Sequence, residues 1–136
     1  MRTSNPGAKD LQDQRLDNGR MVHEETAALV SRLGEATISA HTGLSSVGAV
    51  VGATGPEAAA ALRNGMLHTP FLVPGYGAQG ATAADVAVCY REDGSGAVIN
   101  ASRSVTHPPA PDGDWRAAVV HAAQTAKEDL HGACLA

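Results

Sequence analysis

The chain has 136 residues, 43% of them hydrophobic, and a formal net charge of −4. That length suits one domain and is too short for two comfortable ones. The acidic balance and the scatter of its ten Lys and Arg residues exclude a general nucleic-acid binder, which would carry a basic face.

The first seven residues (MRTSNPG) are a polar stretch in which Pro6 and Gly7 would stop any strand. They have the character of a loop that follows a strand, so the chain is expected to start at the tail of an element. Lys9, Asp10 and Asp13 fit a solvated helical turn. Val22, Thr26, Leu29, Val30 and Leu33 recur at helical spacing and predict an amphipathic helix, with His23, Glu24 and Glu25 on its polar face. Residues 47–53 (VGAVVGA) predict a strand. After it, TGPE at 54–57 predicts a capping box, with Pro56 in the first turn of a helix that Gly65 ends.

The next strand is predicted at Phe71–Pro74, followed by a helix that starts at 82–85 (TAAD) and reaches roughly Tyr90. A third follows at Ala97–Asn100, then a Pro-rich loop at 107–111. Asp114 is placed to cap a long helix with Val119, Ala122, Ala123, Ala126 and Leu130 on one face. The three strand runs start 24 and 26 residues apart, a natural length for strand, loop and helix. Each is apolar without clean alternation, as expected for parallel strands buried on both faces. The apolar mass is mostly Ala, Val and Leu, which suits helices lying close on such a sheet. Strand and helix in alternation predict an α/β fold with a parallel sheet.

Two strand ends carry the chemistry. VPGYGAQG at 73–80 lies directly after one buried strand and before a helix. Its glycines allow positive φ and close approach of the backbone to a ligand, successive amides can face one concavity, and the next helix adds its positive end. Gln79 can donate its amide to a phosphate oxygen. A glycine-rich loop alone is equally well a connector without a ligand. The second feature is INASRS at 99–104, where Arg103 supplies a permanent cation with a planar donor fork. A lone Arg at a strand end is more often a surface charge. Two such loops after neighbouring strands form a recurrent phosphate site in (β/α)8 barrels, and the pairing favours phosphate binding.

Residues 3–7 (TSNPG), 50–54 (VVGAT), 72–80 (LVPGYGAQG) and 100–104 (NASRS) occur in that order. Together they resemble the longer bacterial class of orotidine 5′-monophosphate decarboxylases. The resemblance spans nearly the whole chain, including REDG at 91–94 and DWR at 114–116. It implies a TIM-barrel fold that converts orotidine monophosphate (OMP) to UMP in the cytoplasm, with no metal or organic cofactor. By the same match, residues 1–136 form one partial domain, the C-terminal half of a (β/α)8 barrel. That half runs from the end of the fifth strand through the eighth strand and final helix. Ser4 would hydrogen-bond the pyrimidine, with Asn5 and Pro6 shaping that wall. Pro74, Gly75, Tyr76, Gly77, Ala78 and Gln79 would form the loop closing over base and phosphate. Gln79, Arg103 and the backbone around Ser102 would hold the phosphate.

The resemblance also implies what to look for and not find. The family's catalysts are an alternating Asp-x-Lys-x-x-Asp array with a further Lys just upstream, in the first half of the barrel. The lysines here are Lys9 and Lys127, and neither stands in such an array. This chain alone is therefore expected to bind without turnover, and to need a complementary N-terminal half or a second copy of itself. Other chemistries fail on spacing. The six histidines form no metal-binding pair, and the serines lack a G-x-S-x-G setting. Cys89 and Cys134 have no C-x-x-C spacing and read as reduced thiols. No apolar run approaches the ~18 residues of a membrane span, and no signal peptide is visible.

Overall fold

All three apolar runs join a single parallel sheet, in the order β1 (Ala49–Val50), β2 (Phe71–Pro74), β3 (Ala97–Asn100). The structure is a computed structural model that describes residue 5, residues 7–110 and residues 113–134. β1 itself is short, but the run continues beside β2. The amides of Ala49, Val51 and Ala53 donate to the carbonyls of Pro70, Leu72 and Pro74 at 2.9, 3.0 and 2.9 Å.

Helices α1 (Ala8–Gln12) and α2 (Val22–Gly34) precede the sheet, and a 3-10 turn, Glu35–Thr37, extends α2. Crossovers are made by α3 (Pro56–Gly65) and α4 (Ala83–Ala87). After β3 come α5 (Arg103–Thr106) and α6 (Trp115–Cys134). The core lies between one face of the sheet and this helical layer. Val51, Ala53, Phe71 and Val73 pack there with Ala27, Ala59, Leu62, Met66, Val86 and Cys89. Burying Phe71, Val73, Val51 or Met66 contributes roughly 1.5–3 kcal/mol each.

The other face departs from expectation. Val50, Leu72 and Val98 stand side by side in register and are 40%, 45% and 65% exposed, so the strands are buried on one face only. Helix α2 is rotated from its predicted face. His23, Ala27 and Gly34 are buried and Val30 packs on the core, whereas Leu29 and Leu33 face outward. His23 is not on the polar face: its Nδ1 lies 2.8 Å from the Gln12 carbonyl and 3.5 Å from the Asp13 carboxylate.

Local signals fared unevenly. The box expected at 54–57 does not form. Gly55 is the N-cap of α3, no side chain caps it, and Pro56 opens the helix where a missing N–H costs nothing. α4 ends at Ala87 and continues as tight turns, with Cys89 N–H donating to the Val86 carbonyl and Tyr90 N–H to that of Ala87. Asp114 caps α6 as expected, accepting from the Ala117 amide at 3.0 Å. Val119, Ala122, Ala126 and Leu130 are half-buried, while Ala123 is exposed.

One buried cation ties the layers together. Arg63 of α3 is 5% exposed and donates to the carbonyls of Met66, Thr69, Cys89 and Gly96, with its guanidinium 3.9 Å above the Phe71 ring. These carbonyls lead into the amino ends of β2 and β3. Desolvation lowers the Arg63 pKa, and the carbonyl cage is what keeps the charge tolerable.

Candidate functional site

At the carboxyl end of β2, Pro74 has no N–H to give, but its carbonyl accepts from Ala53 N–H and ties the ends of β1 and β2 together. The chain then turns at Gly75, whose φ of 118° few L residues adopt. Gly75 lies so close to Ala53 that a Cβ built on it would sit 3.3 Å from the Ala53 Cβ and 3.6 Å from Gln79 Oε1. The Gln79 carboxamide is therefore folded back over the strand ends. The loop closes on itself. Gly77 N–H donates to the Ala81 carbonyl at 2.9 Å, Gly80 N–H to that of Gly77 at 2.8 Å, and Ala81 N–H to that of Gly75 at 3.3 Å. At the tip, the amide of Ala78 makes no hydrogen bond within the described residues.

Helix α4 does not lend this loop a free positive end. Thr82 and Asp85 cap one another: Thr82 N–H donates to Asp85 Oδ2 at 2.8 Å, and Asp85 N–H to Thr82 Oγ1 at 3.3 Å. The bonds from Thr82 hold the Asp85 carboxyl below its ordinary pKa, so the helix start already carries an anion of its own. Tyr76 is engaged sideways: its hydroxyl donates to Asp129 Oδ2 of α6 at 2.6 Å. Burial and this bond push the Tyr76 hydroxyl up to about 12.

The loop after β3 meets the first loop. Pro74 and Asn100 are register partners, so both loops leave the same end of the sheet. Ser102 Oγ donates to Asn100 Oδ1 at 3.0 Å, and the Ser102 carbonyl accepts from Val105 and Thr106 to start α5. Ser104 then packs beneath Gly77. A Cβ built on Gly77, where φ is 72°, would sit 2.9 Å from Ser104 Oγ and 3.1 Å from Ser104 Cβ. This seam bounds the distance between the two expected phosphate ligands. Gln79 is two residues from it and Arg103 one, which keeps their Cα atoms within about 17 Å at full chain extension. A Gln and an Arg side chain can both reach one phosphoryl group across that span. Arg103 is exposed and makes no ion pair within the described residues.

The chain is 40% identical over 140 residues to orotidine 5′-phosphate decarboxylase of Rhodopirellula baltica, covering 97% of this chain and 46% of that relative. It is 42% identical over 105 residues to the Clostridium perfringens enzyme, covering 77% of this chain and 36% of the relative. Over nearly its whole length the chain is similar to orotidine 5′-phosphate decarboxylases. No protein-family model matches it. The structure of Leishmania donovani OMP decarboxylase superposes with a TM-score of 0.74 at 32% identity, covering 99% of this chain and 46% of that one. The decarboxylase structures are TIM barrels, of which this α/β unit matches about half. The chain spans about half the length of the relatives it matches.

Of the residues that the decarboxylase resemblance singles out, Pro74, Gly75, Tyr76, Gly77, Ala78, Gln79, Ser102 and Arg103 gather at one end of the sheet. Asn5 is exposed and its carbonyl accepts from Ala8 N–H at 3.0 Å, while Ser4 and Pro6 lie outside the described residues. Sequence reasoning missed Ser104 and Asp129. The Ser104 hydroxyl is buried and has no hydrogen-bond partner within the described residues. Asp129 is 53 residues from Tyr76 and carries no local signal. A cleft of about 690 Å³ is lined by Arg63, His68, Tyr90, Arg91 and Asp93 near the amino ends of the strands. Its Arg63 is committed to carbonyls, and it lies at the end of the sheet away from the glycine loop. Within the described residues there is no group of three His, Cys, Asp or Glu fit for a metal, and no helix long and apolar enough to cross a membrane.

Proposed function

We propose that this chain supplies the phosphate- and pyrimidine-binding part of an orotidine 5′-phosphate decarboxylase site, in a protein that converts OMP to UMP and carbon dioxide. The Gly77–Ser104 seam carries the proposal, because it joins the amide-rich loop to the loop bearing the guanidinium. Gln79, Arg103 and the backbone around Ser102 hold the phosphate. Residues 74–79 cover base and phosphate, while Ser4, Asn5 and Pro6 wall the pyrimidine. Lys9 and Lys127 stand on exposed helix faces, and neither is assigned the proton transfer. Remote binding energy at the phosphate then serves chemistry at groups that the resemblance places in the other half of the barrel.

Calorimetry with UMP and with uridine tests this. Arg103→Ala should weaken UMP by one to two orders of magnitude, as loss of a charge-assisted fork of roughly 1.5–3 kcal/mol requires. It should leave uridine nearly unchanged. Equal loss for both ligands sinks the phosphate assignment. Turnover of OMP should appear only when a first-half fragment of a related decarboxylase is added.

A second reading is favoured by the open sheet face. Val50, Leu72 and Val98 form an apolar row between two strand edges that are unpaired within the described residues, and self-association would cover it. In that reading the chain is a homodimeric half-barrel that binds nucleotide without catalysis. A monodisperse dimer in light scattering, binding UMP and silent in the paired-fragment assay, would favour it.

A further inference from the structure

The glycine loop's internal bonds fix its shape but not its tilt over the strand ends. Its hinge is Gly75, and the ring of bonds among Gly75, Gly77, Gly80 and Ala81 could swing as a unit about that residue. Two flank contacts oppose such a swing. On one side Gly77 rests on Ser104; on the other the Tyr76 hydroxyl reaches the Asp129 carboxylate. We propose that Asp129 is a positioning residue for the loop at 74–80, acting through Tyr76 to hold it at the tilt that grips a phosphoryl group. The inference rests on the phosphate assignment above.

The post is firm enough for the task. Leu130, next to Asp129, packs against the core, and α6 lies on α4 and α5. An O–H donor on a carboxylate is a short, charge-assisted bond, here 2.6 Å. The raised Tyr76 pKa keeps that proton in place through neutral pH. Asp129 does not act on the ligand itself. Its contribution is preorganisation: a loop already at the binding tilt loses less freedom when phosphate arrives. The Ser104 hydroxyl, buried under Gly77 with no hydrogen-bond partner among the described residues, backs the opposite flank by packing.

The test compares Tyr76→Phe, Asp129→Ala, Asp129→Asn and the double variant Tyr76→Phe/Asp129→Ala in the 136-residue chain. Amide hydrogen exchange of residues 75–81 is read without ligand, UMP affinity by calorimetry, and thermal melting as a control. Tyr76→Phe and Asp129→Ala should each speed loop exchange and weaken UMP about five- to tenfold, with melting little changed. The double variant should lose no more than either single one, since both break one bond. Asp129→Asn keeps an acceptor and should recover most of the affinity.

Unchanged loop exchange in Tyr76→Phe and Asp129→Ala overturns the proposal. So does faster exchange with wild-type UMP affinity, because loop tilt would then not matter to binding. Failure of the unmodified chain to bind UMP overturns the phosphate assignment and, with it, any role of the latch towards a ligand. The exchange measurement still separates that failure from a latch that does not hold the loop.

Discussion

Replacing Gly77 with alanine puts a methyl group 2.9 Å from Ser104 Oγ and 3.1 Å from Ser104 Cβ, at a residue whose φ is 72°. The left-handed backbone alone costs a non-glycine residue roughly 1–2 kcal/mol. The contact adds about 1–3 kcal/mol of overpacking, because Ser104 Cβ is held by its helix and cannot swing aside as a flexible side-chain end would. The strain is therefore about 2–5 kcal/mol, and the molecule has a cheap escape. The loop is a surface element and can lift from the seam without unfolding the core. Gly77→Ala should accordingly leave the urea midpoint nearly intact and appear instead as weaker ligand binding. At tenfold per 1.4 kcal/mol, UMP affinity should fall by one to two orders of magnitude even if part of the strain relaxes. Adding Ser104→Gly removes the contact but not the backbone penalty, and should restore affinity to within about tenfold of the parent. Parental UMP affinity in Gly77→Ala, or no recovery in the double variant, would refute the seam as the joint between the two loops.

Arg63→Met should destabilise the fold by about 2–4 kcal/mol in urea titration. The Cys89 and Thr69 carbonyls lose the donor they have, at about 1–3 kcal/mol each, partly offset by releasing a buried charge. An unchanged midpoint would mean the cage contributes no net stability. Cys89 is wholly buried and its thiol is pushed up to about 11 by desolvation, so its contribution to stability is full below about pH 9 and is lost as pH rises through 11. Native protein at pH 8 should therefore take up thiol reagent at the partly exposed Cys134 alone, and rapid labelling of both thiols would contradict that burial.

The strands were legible because short apolar runs between turn residues leave few other options, and the crossover spacing fixed their order. The start of α4 at residues 82–85 was legible too, although the mutual cap of Thr82 and Asp85 emerged only in the fold. The box at 54–57 was not, because Gly55 and Pro56 set the start of α3 through backbone geometry alone. Which side of an element is covered is not a local property. Leu29 and Leu33 satisfy helical spacing as well as Ala27 and Val30 do, yet only the second pair meets α3 and the sheet. Likewise Val50, Leu72 and Val98 read as core, and the register places all three on the bare face. In the site, Gln79 and Arg103 suggested phosphate only as a pair on neighbouring strand ends, and the register of Pro74 with Asn100 does place their two loops at one end of the sheet. Asp129 looked like any acidic residue on an exposed helix, and only the folded chain brings it to Tyr76.

The bonds that shape the phosphate grip run among the two loops, α6 and the helical side of the core. None of them involves the row of Val50, Leu72 and Val98 on the opposite face. On the proposed function, holding the phosphate and completing the active site are therefore separate tasks of the molecule. Among the described residues the contacts of the grip lie within residues 53–130, so it should persist whether or not another element covers that row. The pyrimidine end differs: its expected wall, residues 4–6, stands before α1 in the sequence. Most of the UMP affinity of the isolated chain should then reside in the phosphate, which is why uridine is the informative control.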